Sequence, residues 1–386
     1  MVNFSEETDR RNTNSYKWDV GPGELPMWVA DMDFELPPEI IEALHRRVDH
    51  KIFGYNIIPG EYALAYRSWW ERRHGLTIET DWLLFVTGVV PALSSIVRKM
   101  TTVGENVLIL SPVYNIFYNS ILNNGRHVLS SDLVYENGDY RIDFADLEKK
   151  CADPQTSLLI FCNPHNPIGK IWDRDTLQRV CEICRKHHVL VVSDEIHCDI
   201  VKPGRAYVPM LCVDTENVIM LAAATKAFNM AGMQGAAIVV PDPVLRHKVN
   251  RGINTDEVAE PNSFVIDATV TAFNRCEYWI EELRAYVESN KDFVRDFLAK
   301  ELPMLHVVPS EATYLLWIDC SRVTDDSVAF VEFLREKTGL YLSEGAEYGE
   351  NGRKFVRINL ACSASRVADG MNRLKRGVEL YLESRS

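Results

Sequence analysis

The side chain with the clearest chemical potential is that of Lys226, in the sequence TKAFNMAG at 225–232. It comes directly after the apolar run NVIMLAA at 217–223, which predicts a strand, so we expect Lys226 in a turn at the carboxyl end of that strand. Ligands of open α/β sheets bind in the crevice at the carboxyl ends of the strands. A lysine amine at this place can act as a nucleophile or a base, although a single loop lysine is usually only a solvated charge.

Two further polar segments follow predicted strands and should meet Lys226 at the same edge of the sheet. SDEIH at 193–197 ends the run VLVV and places Asp194 there, where taken alone it is better explained as a helix N-cap or a solvated acid. FCNPHNPIGK at 161–170 contains two Asn-Pro steps, which predict a tight loop that directs Asn163 into the crevice. An ordinary turn requires neither the second Asn-Pro nor the glycine.

Two other segments could bind anions. VTGVVPALSSIV at 86–97 predicts a strand, a turn and a helix, and the backbone N–H groups of Gly88, Val89 and Val90 could meet a phosphate at the start of that helix. KFVRINLAC places Arg357 in an alternating strand, where a guanidinium that faces the core needs an anion. A substrate carboxylate would accept two parallel hydrogen bonds from it, and a pair with an acidic side chain at a sheet edge is the alternative.

The elements that must position these residues indicate an α/β fold with a mostly parallel sheet. Continuous apolar runs predict buried strands at 106–111, 157–163, 189–195, 217–223 and 235–240. The segments 112–125 and 173–188 predict crossover helices. From about Pro261 a long helical stretch precedes short strands at HVV, TYLLWID and FVRINLAC, which predicts a smaller α+β domain joined through one long helix. We expect an N-terminal segment (1–48) that joins the small domain, a large domain (49–275) and a small C-terminal domain (276–386).

Composition narrows the possible partners and the compartment. The 386 residues carry 42 Lys and Arg against 55 Asp and Glu, a net charge of −13, which disfavours nucleic acid and anionic membranes as main partners. The sequence has no run of about 18 apolar residues and no apolar N-terminal leader, so we expect a cytoplasmic protein. Nine cysteines in apolar contexts indicate free thiols, and Cys181 and Cys184 form a lone CxxC for which we expect no metal.

Taken together, these motifs resemble the fold type I pyridoxal-phosphate enzymes over nearly the whole chain. The motifs are Asn-Pro-x-Asn-Pro-x-Gly after a strand, Ser-Asp-Glu-x-His, Thr-Lys-x-Phe-Asn and Arg-x-Asn. The strongest likeness is to the cystathionine β-lyase or C-S lyase branch, which is related to class II aminotransferases. It rests on the segments DRRNTNSYKWD, WVADMDFELPPEIIEAL, FGYN, SDEIHCDIV, TKAFNMAG, EATYLLWID and EYGENGRKFVRINLAC.

The resemblance implies pyridoxal 5'-phosphate as cofactor and a role for each candidate residue. Lys226 would bind the cofactor covalently and then remove the substrate Cα proton. Asp194 would pair with the pyridinium nitrogen, and Asn163 would bind the phenolic oxygen and help Arg357 with the substrate. Tyr114 would stack on the ring, and His197 is either a cofactor contact or a structural histidine. The phosphate would be held by Gly88, Val89, Val90 and Thr225, and by Tyr55 from a partner subunit.

The branch implies α,β-elimination from L-cystathionine, L-cysteine or an S-substituted cysteine, giving pyruvate, ammonia and a thiol such as homocysteine or sulfide, in a homodimer with a shared active site. An aminotransferase of the same fold is the first alternative, and a cofactor-loaded regulatory binding protein is the second. Aspartate-type aminotransferases carry a serine and an arginine for the phosphate where this sequence has Ala223 and Gln234, which argues against that type.

Overall fold

A seven-stranded sheet lies at the centre of the computed structural model, which describes residues 2–385. The strands in this range are β1 (Leu25–Pro26), β2 (Leu83–Val86), β3 (Asn106–Ile109), β4 (His127–Ser130), β5 (Val134–Glu136), β6 (Asp139–Arg141), β7 (Thr156–Cys162), β8 (Leu190–Asp194), β9 (Val218–Ala222), β10 (Ala236–Val239), β11 (His306–Val307), β12 (Leu315–Asp319), β13 (Leu340–Tyr341), β14 (Ser343–Glu344) and β15 (Phe355–Asn359).

Twelve α-helices of this described range surround the sheets. They are α1 (Pro38–Asp49), α2 (Gly60–His74), α3 (Val89–Met100), α4 (Ile116–Leu122), α5 (Phe144–Cys151), α6 (Arg174–Lys186), α7 (Ala224–Ala227), α8 (Pro243–Thr255), α9 (Val265–Arg275), α10 (Glu277–Glu301), α11 (Ser327–Thr338) and α12 (Ala364–Glu383). Several of these helices begin at a residue whose side chain caps a free backbone N–H group. For example, the Asp173 carboxylate accepts a hydrogen bond from the Thr176 N–H at the start of α6.

The central sheet has the strand order β2-β10-β9-β8-β7-β3-β4. Its five strands from β9 to β4 are parallel, and β10 runs antiparallel to both β2 and β9. Every residue of β8, β9 and β10 is buried, as expected for strands covered by helices on both faces. The predicted mixed α/β fold with a mostly parallel sheet is therefore confirmed, and all five predicted strands form within it.

A second, antiparallel sheet with the order β11-β12-β15-β14 follows in the C-terminal part. Its core includes Leu316 and Ile358 and also takes in Trp18, Leu25 and Met27 from the N-terminal segment. The strand β1 pairs in parallel with β13, with Leu25 opposite Leu340. The N-terminal segment thus packs on the C-terminal sheet, while the domain boundaries at 48/49 and 275/276 stay a prediction.

The single long helix predicted after Pro261 is wrong, because two helices form there. The helix α9 ends at Arg275 and α10 begins at Glu277, and between them Cys276 has φ −113° and ψ 22°, outside the helical range. The break changes the packing partners of the chain, since α9 contacts α1 and α2 whereas α10 contacts α12 and β11. An apolar pattern that continues across the break cannot reveal such a change of direction.

All nine cysteines are free thiols, and Cys181 and Cys184 are both buried on α6. Helical spacing therefore places the CxxC pair in the core. Across residues 2–385, no helix combines the length and the apolar character needed to cross a bilayer.

Candidate active site

A cavity of about 310 Å³ lies at the carboxyl ends of β8 and β9. Small-molecule sites in proteins commonly have volumes of ~300–1,000 Å³. Eight of the residues predicted from sequence line it: Gly88, Val89, Val90, Tyr114, Asp194, His197, Thr225 and Lys226. Gln234, which stands where aspartate-type aminotransferases carry an arginine for the phosphate, also lines it. Further lining residues that the sequence did not indicate include Ala30, Thr87, Cys162, Asn166 and Ala231.

Lys226 lies in the one-turn helix α7, just after β9, and its half-buried side chain lines the cavity. Its Nζ donates a hydrogen bond to the Ala30 carbonyl oxygen at 2.6 Å. Burial lowers the pKa of this amine to about 8, and the positive charge of Arg357 acts in the same direction, against Asp31 and Asp194. A neutral amine, the form that can take a proton, is therefore accessible near physiological pH.

Asp194 is the last residue of β8, and its side chain is buried beside the same cavity. Its Oδ1 accepts from the Ile196 N–H at 3.2 Å. Burial raises the pKa of Asp194 to about 6, although that hydrogen bond and the charge of Lys226 lower it. A carboxyl group in this position would be stabilised as a carboxylate by a cation that entered the cavity.

His197 faces the cavity as a neutral imidazole. Burial lowers the pKa of His197 to about 3, helped by the positive charges of Lys226 and Arg357. Its Nδ1 is buried and has no hydrogen-bond partner among the described residues. This nitrogen is therefore free to bond with a molecule that occupies the cavity.

The start of α3 forms another wall of the cavity. Gly88 precedes the helix with φ 148° and ψ 163°, and Val89 and Val90 form its first turn. The first N–H groups of an α-helix have no partner within the helix, and they favour an anion at that place. Thr225 also lines the cavity.

Arg357 lies on β15 and is buried next to the cavity. Its Nη1 donates to Asn166 Oδ1 at 3.1 Å and its Nη2 to the Trp28 carbonyl oxygen at 2.8 Å. The guanidinium carbon lies 4.9 Å from the ring centroid of Tyr348. Its hydrogen-bond partners are neutral groups, and Nε is buried without a partner among the described residues, so this guanidinium retains capacity for an anion.

Asn163 and Asn166 occupy different positions in the loop after β7. Asn163 is fully buried and donates from Nδ2 to the Val208 carbonyl oxygen at 3.0 Å, whereas Asn166 lines the cavity and contacts Arg357. The geometry therefore favours Asn166 over the predicted Asn163 as the asparagine of the site. Both residues precede a proline in one motif, and the motif does not tell which side chain faces the cavity.

Tyr55 does not reach the cavity of its own chain. Its side chain is fully exposed, in a segment without helix or strand where Ile52, Phe53 and Ile57 are also exposed. Its role across a subunit interface stays a prediction.

The model of the family "Aminotransferase class I and II" matches residues 25–374. The chain belongs to this family. The chain is 38% identical over 384 residues to cystathionine beta-lyase PatB of Bacillus subtilis strain 168. The aligned region covers 97% of this chain and 99% of PatB.

Solved structures agree with the family assignment. Cystalysin from Treponema denticola, which contains a pyridoxal 5'-phosphate cofactor, superimposes with a TM-score of 0.95 at 32% identity, over 98% of this chain and 99% of cystalysin. The PLP-bound C-S lyase from Staphylococcus hominis superimposes with a TM-score of 0.92 at 32% identity, over 98% of this chain and 99% of that lyase. The predicted resemblance to fold type I pyridoxal-phosphate enzymes of the C-S lyase branch is confirmed.

Proposed function

We propose that this protein is a pyridoxal-phosphate-dependent carbon-sulfur lyase that acts on L-cystathionine or a related S-substituted cysteine. The products are pyruvate, ammonia and a thiol, which is homocysteine from cystathionine and sulfide from cysteine. One observation carries the proposal: Lys226 and Asp194 line one cavity, and Arg357 lies beside it, bonded to the lining residue Asn166, in a chain that is similar over its length to a cystathionine beta-lyase.

The residues around the cavity fit the cofactor. A cationic pyridinium nitrogen suits the buried Asp194 carboxyl, and a phosphate suits the free N–H groups at the start of α3 with Thr225 beside them. His197 and Asn166 supply polar atoms for the ring, and Tyr114 supplies an aromatic face. When bound, pyridoxal phosphate supplies an electron sink for the pair left at the substrate Cα.

The chain's own residues bind the substrate and move the proton. Arg357, held by Asn166, binds the substrate carboxylate with two parallel hydrogen bonds. This contact orients the Cα–H bond, and the neutral amine of Lys226 takes the Cα proton. The bond from Cβ to sulfur then breaks, the sulfur leaves as a thiolate, and hydrolysis of the remaining fragment gives pyruvate and ammonia.

The active enzyme is proposed to be a homodimer with Tyr55 contributed across the interface. Support comes from the exposed apolar side chains of Ile52, Phe53 and Ile57 around the exposed Tyr55, because exposed apolar clusters mark interaction surfaces. Residues of this segment do not line the cavity of their own chain. The nine free thiols support a reducing compartment such as the cytoplasm.

The deciding experiment is turnover of L-cystathionine by the purified holoenzyme without any α-keto acid. We expect pyruvate, ammonia and homocysteine in equal amounts, loss of turnover in Lys226→Ala, and normal turnover in Lys248→Ala, whose side chain is exposed on α8. Turnover that requires a keto acid would identify an aminotransferase instead. Absence of turnover under both conditions, with partner binding that survives in Lys226→Ala, would identify the regulatory binding protein.

A further inference from the structure

The Ala30 carbonyl oxygen accepts two hydrogen bonds from the active site. One comes from Lys226 Nζ at 2.6 Å and the other from the Tyr314 hydroxyl at 2.9 Å. Tyr314 is buried, and its ring lies edge-on to that of His197 with the centroids 6.4 Å apart. The hydroxyl of Tyr314 therefore reaches the proposed base through one shared acceptor.

The backbone around Ala30 is held from both sides by the C-terminal sheet. Asn359 Nδ2 donates to the carbonyl oxygens of Val29 and Asp31, each at 2.6 Å, and Arg357 Nη2 donates to that of Trp28. The Ala30 carbonyl lies between these anchored neighbours. None of these three bonds reaches the Ala30 carbonyl itself, which Tyr314 holds together with Lys226.

We propose that Tyr314 is a positioning residue, whose hydroxyl holds the Ala30 carbonyl where it orients the free amine of Lys226 at the cavity. This inference rests on the proposed function. Tyr314 does not touch the reacting atoms in this scheme; it acts through Ala30. A hydrogen bond to a carbonyl oxygen also stabilises an ammonium more than a neutral amine, so the contact sets how readily Lys226 loses its proton.

The other charged and titratable groups around Lys226 stay in place when only the Tyr314 hydroxyl is removed. These groups are Asp31 from the N-terminal segment, Asp194 and His197 after β8, and Arg357 from β15. In Tyr314→Phe the Ala30 carbonyl loses its anchor and its bond to Lys226 weakens. The amine then deprotonates at a lower pH than in the wild type and is less precisely aimed.

The test follows covalent attachment of pyridoxal phosphate to Lys226 in the apoprotein as a function of pH. Borohydride reduction fixes the attached group, and peptide mass spectrometry measures the fraction of Lys226 modified. We expect the pH midpoint of the attachment rate in Tyr314→Phe to fall by about half a unit or more. With cystathionine as substrate we expect kcat to fall about tenfold with KM nearly unchanged. This pattern is expected because Tyr314 orients the base that takes the proton and does not bind the substrate.

Tyr62→Phe is the matched control, since Tyr62 is also fully buried and donates to a backbone carbonyl, that of Ala236 at 3.2 Å, outside the cavity. We expect it to keep the wild-type midpoint. An unchanged or raised midpoint in Tyr314→Phe, or an equal shift in Tyr62→Phe, overturns the inference. If Tyr314→Phe does not fold, Tyr314→Met decides by the same midpoint, because it also removes the hydroxyl and fills the buried space with a flexible apolar side chain. Failure of wild-type Lys226 to react would instead overturn the proposed function.

Discussion

Arg357 and Asn166 join the two sheets at the active site, with Nη1 of the arginine 3.1 Å from Oδ1 of the asparagine. Arg357 belongs to β15 of the C-terminal sheet, and Asn166 belongs to the loop after β7 of the central sheet. A substrate carboxylate bound here would therefore contact both parts of the molecule.

Arg357→Lys should raise KM for L-cystathionine by about 10- to 100-fold and change kcat less. Lysine keeps the charge but donates from one nitrogen, so it loses the paired hydrogen bonds to a carboxylate, each worth ~1.5–3 kcal/mol. Steady-state kinetics measure the effect. Arg353→Lys, at an exposed arginine that pairs with Glu350, is the control and should behave as wild type. A wild-type KM in Arg357→Lys would remove Arg357 from substrate binding.

Gly169→Ala should destabilise the loop that carries Asn166. Gly169 has φ 69°, and a Cβ there would lie 2.9 Å from Ser310 Cβ and 3.1 Å from the Ala312 carbonyl oxygen. Gly204 has φ 80° but nothing within 4 Å, so Gly204→Ala isolates the cost of the backbone conformation. We expect a loss of about 1 kcal/mol of unfolding free energy for Gly204→Ala and a further ~1–3 kcal/mol for Gly169→Ala. Urea unfolding measures both, and equal losses would contradict the proposed steric contact.

Lys291 should make the protein more stable as the pH rises from 7 to 9. Its buried Nζ donates to Ser310 Oγ at 3.0 Å and to the Ala312 carbonyl oxygen at 3.1 Å, and burial lowers the pKa of Lys291 to about 7. Between this pKa and the usual value near 10.5, the unfolded chain binds the proton and the folded chain does not. The unfolding free energy therefore increases with pH in that window.

The measurement compares urea unfolding of wild type and Lys291→Met at pH 7 and pH 9. Relative to the variant, we expect wild type to gain on the order of 2 kcal/mol across this interval. Lys300→Met is the control, because Lys300 lies on the same helix with its side chain largely exposed, and it should track the wild type. Parallel pH dependence of wild type and Lys291→Met would show that Lys291 stays protonated in the fold.

Apolar runs in the sequence predicted five of the seven strands of the central sheet, and the motifs predicted eight of the seventeen residues that line the cavity. Strands buried on both faces leave continuous apolar runs, and the carboxyl ends of parallel strands share one edge, so Lys226 and Asp194 could be placed together before any geometry was known. The bend at Cys276 was missed, because the apolar pattern continues through it.

The sequence also could not predict in which direction the side chains of a loop point. Asn163 and Asn166 stand in the same repeated Asn-Pro context, and only the folded loop shows that Asn166 faces Arg357. Ala30 and Tyr314 lie in two segments that carry the family resemblance, but their residue types indicated no role, since one contributes a backbone carbonyl and the other stands in an ordinary strand pattern. Groups that act through backbone atoms leave little trace in residue types.

The hydrogen bonds that anchor the Trp28–Asp31 segment can form only late in the synthesis of the chain. Its bonds to Arg357 and Asn359 span 328 to 330 residues, nearly the full length of the chain. A nascent chain emerges from its N-terminus, so this early segment has to wait for β15 before those carbonyls find their donors. Contacts of such long sequence separation are slow to form. The lysine side of the cavity is thus among the last parts of the molecule to be completed, and a chain that terminates before β15 would lack Arg357 and the bonds that hold the Trp28–Asp31 segment beside Lys226.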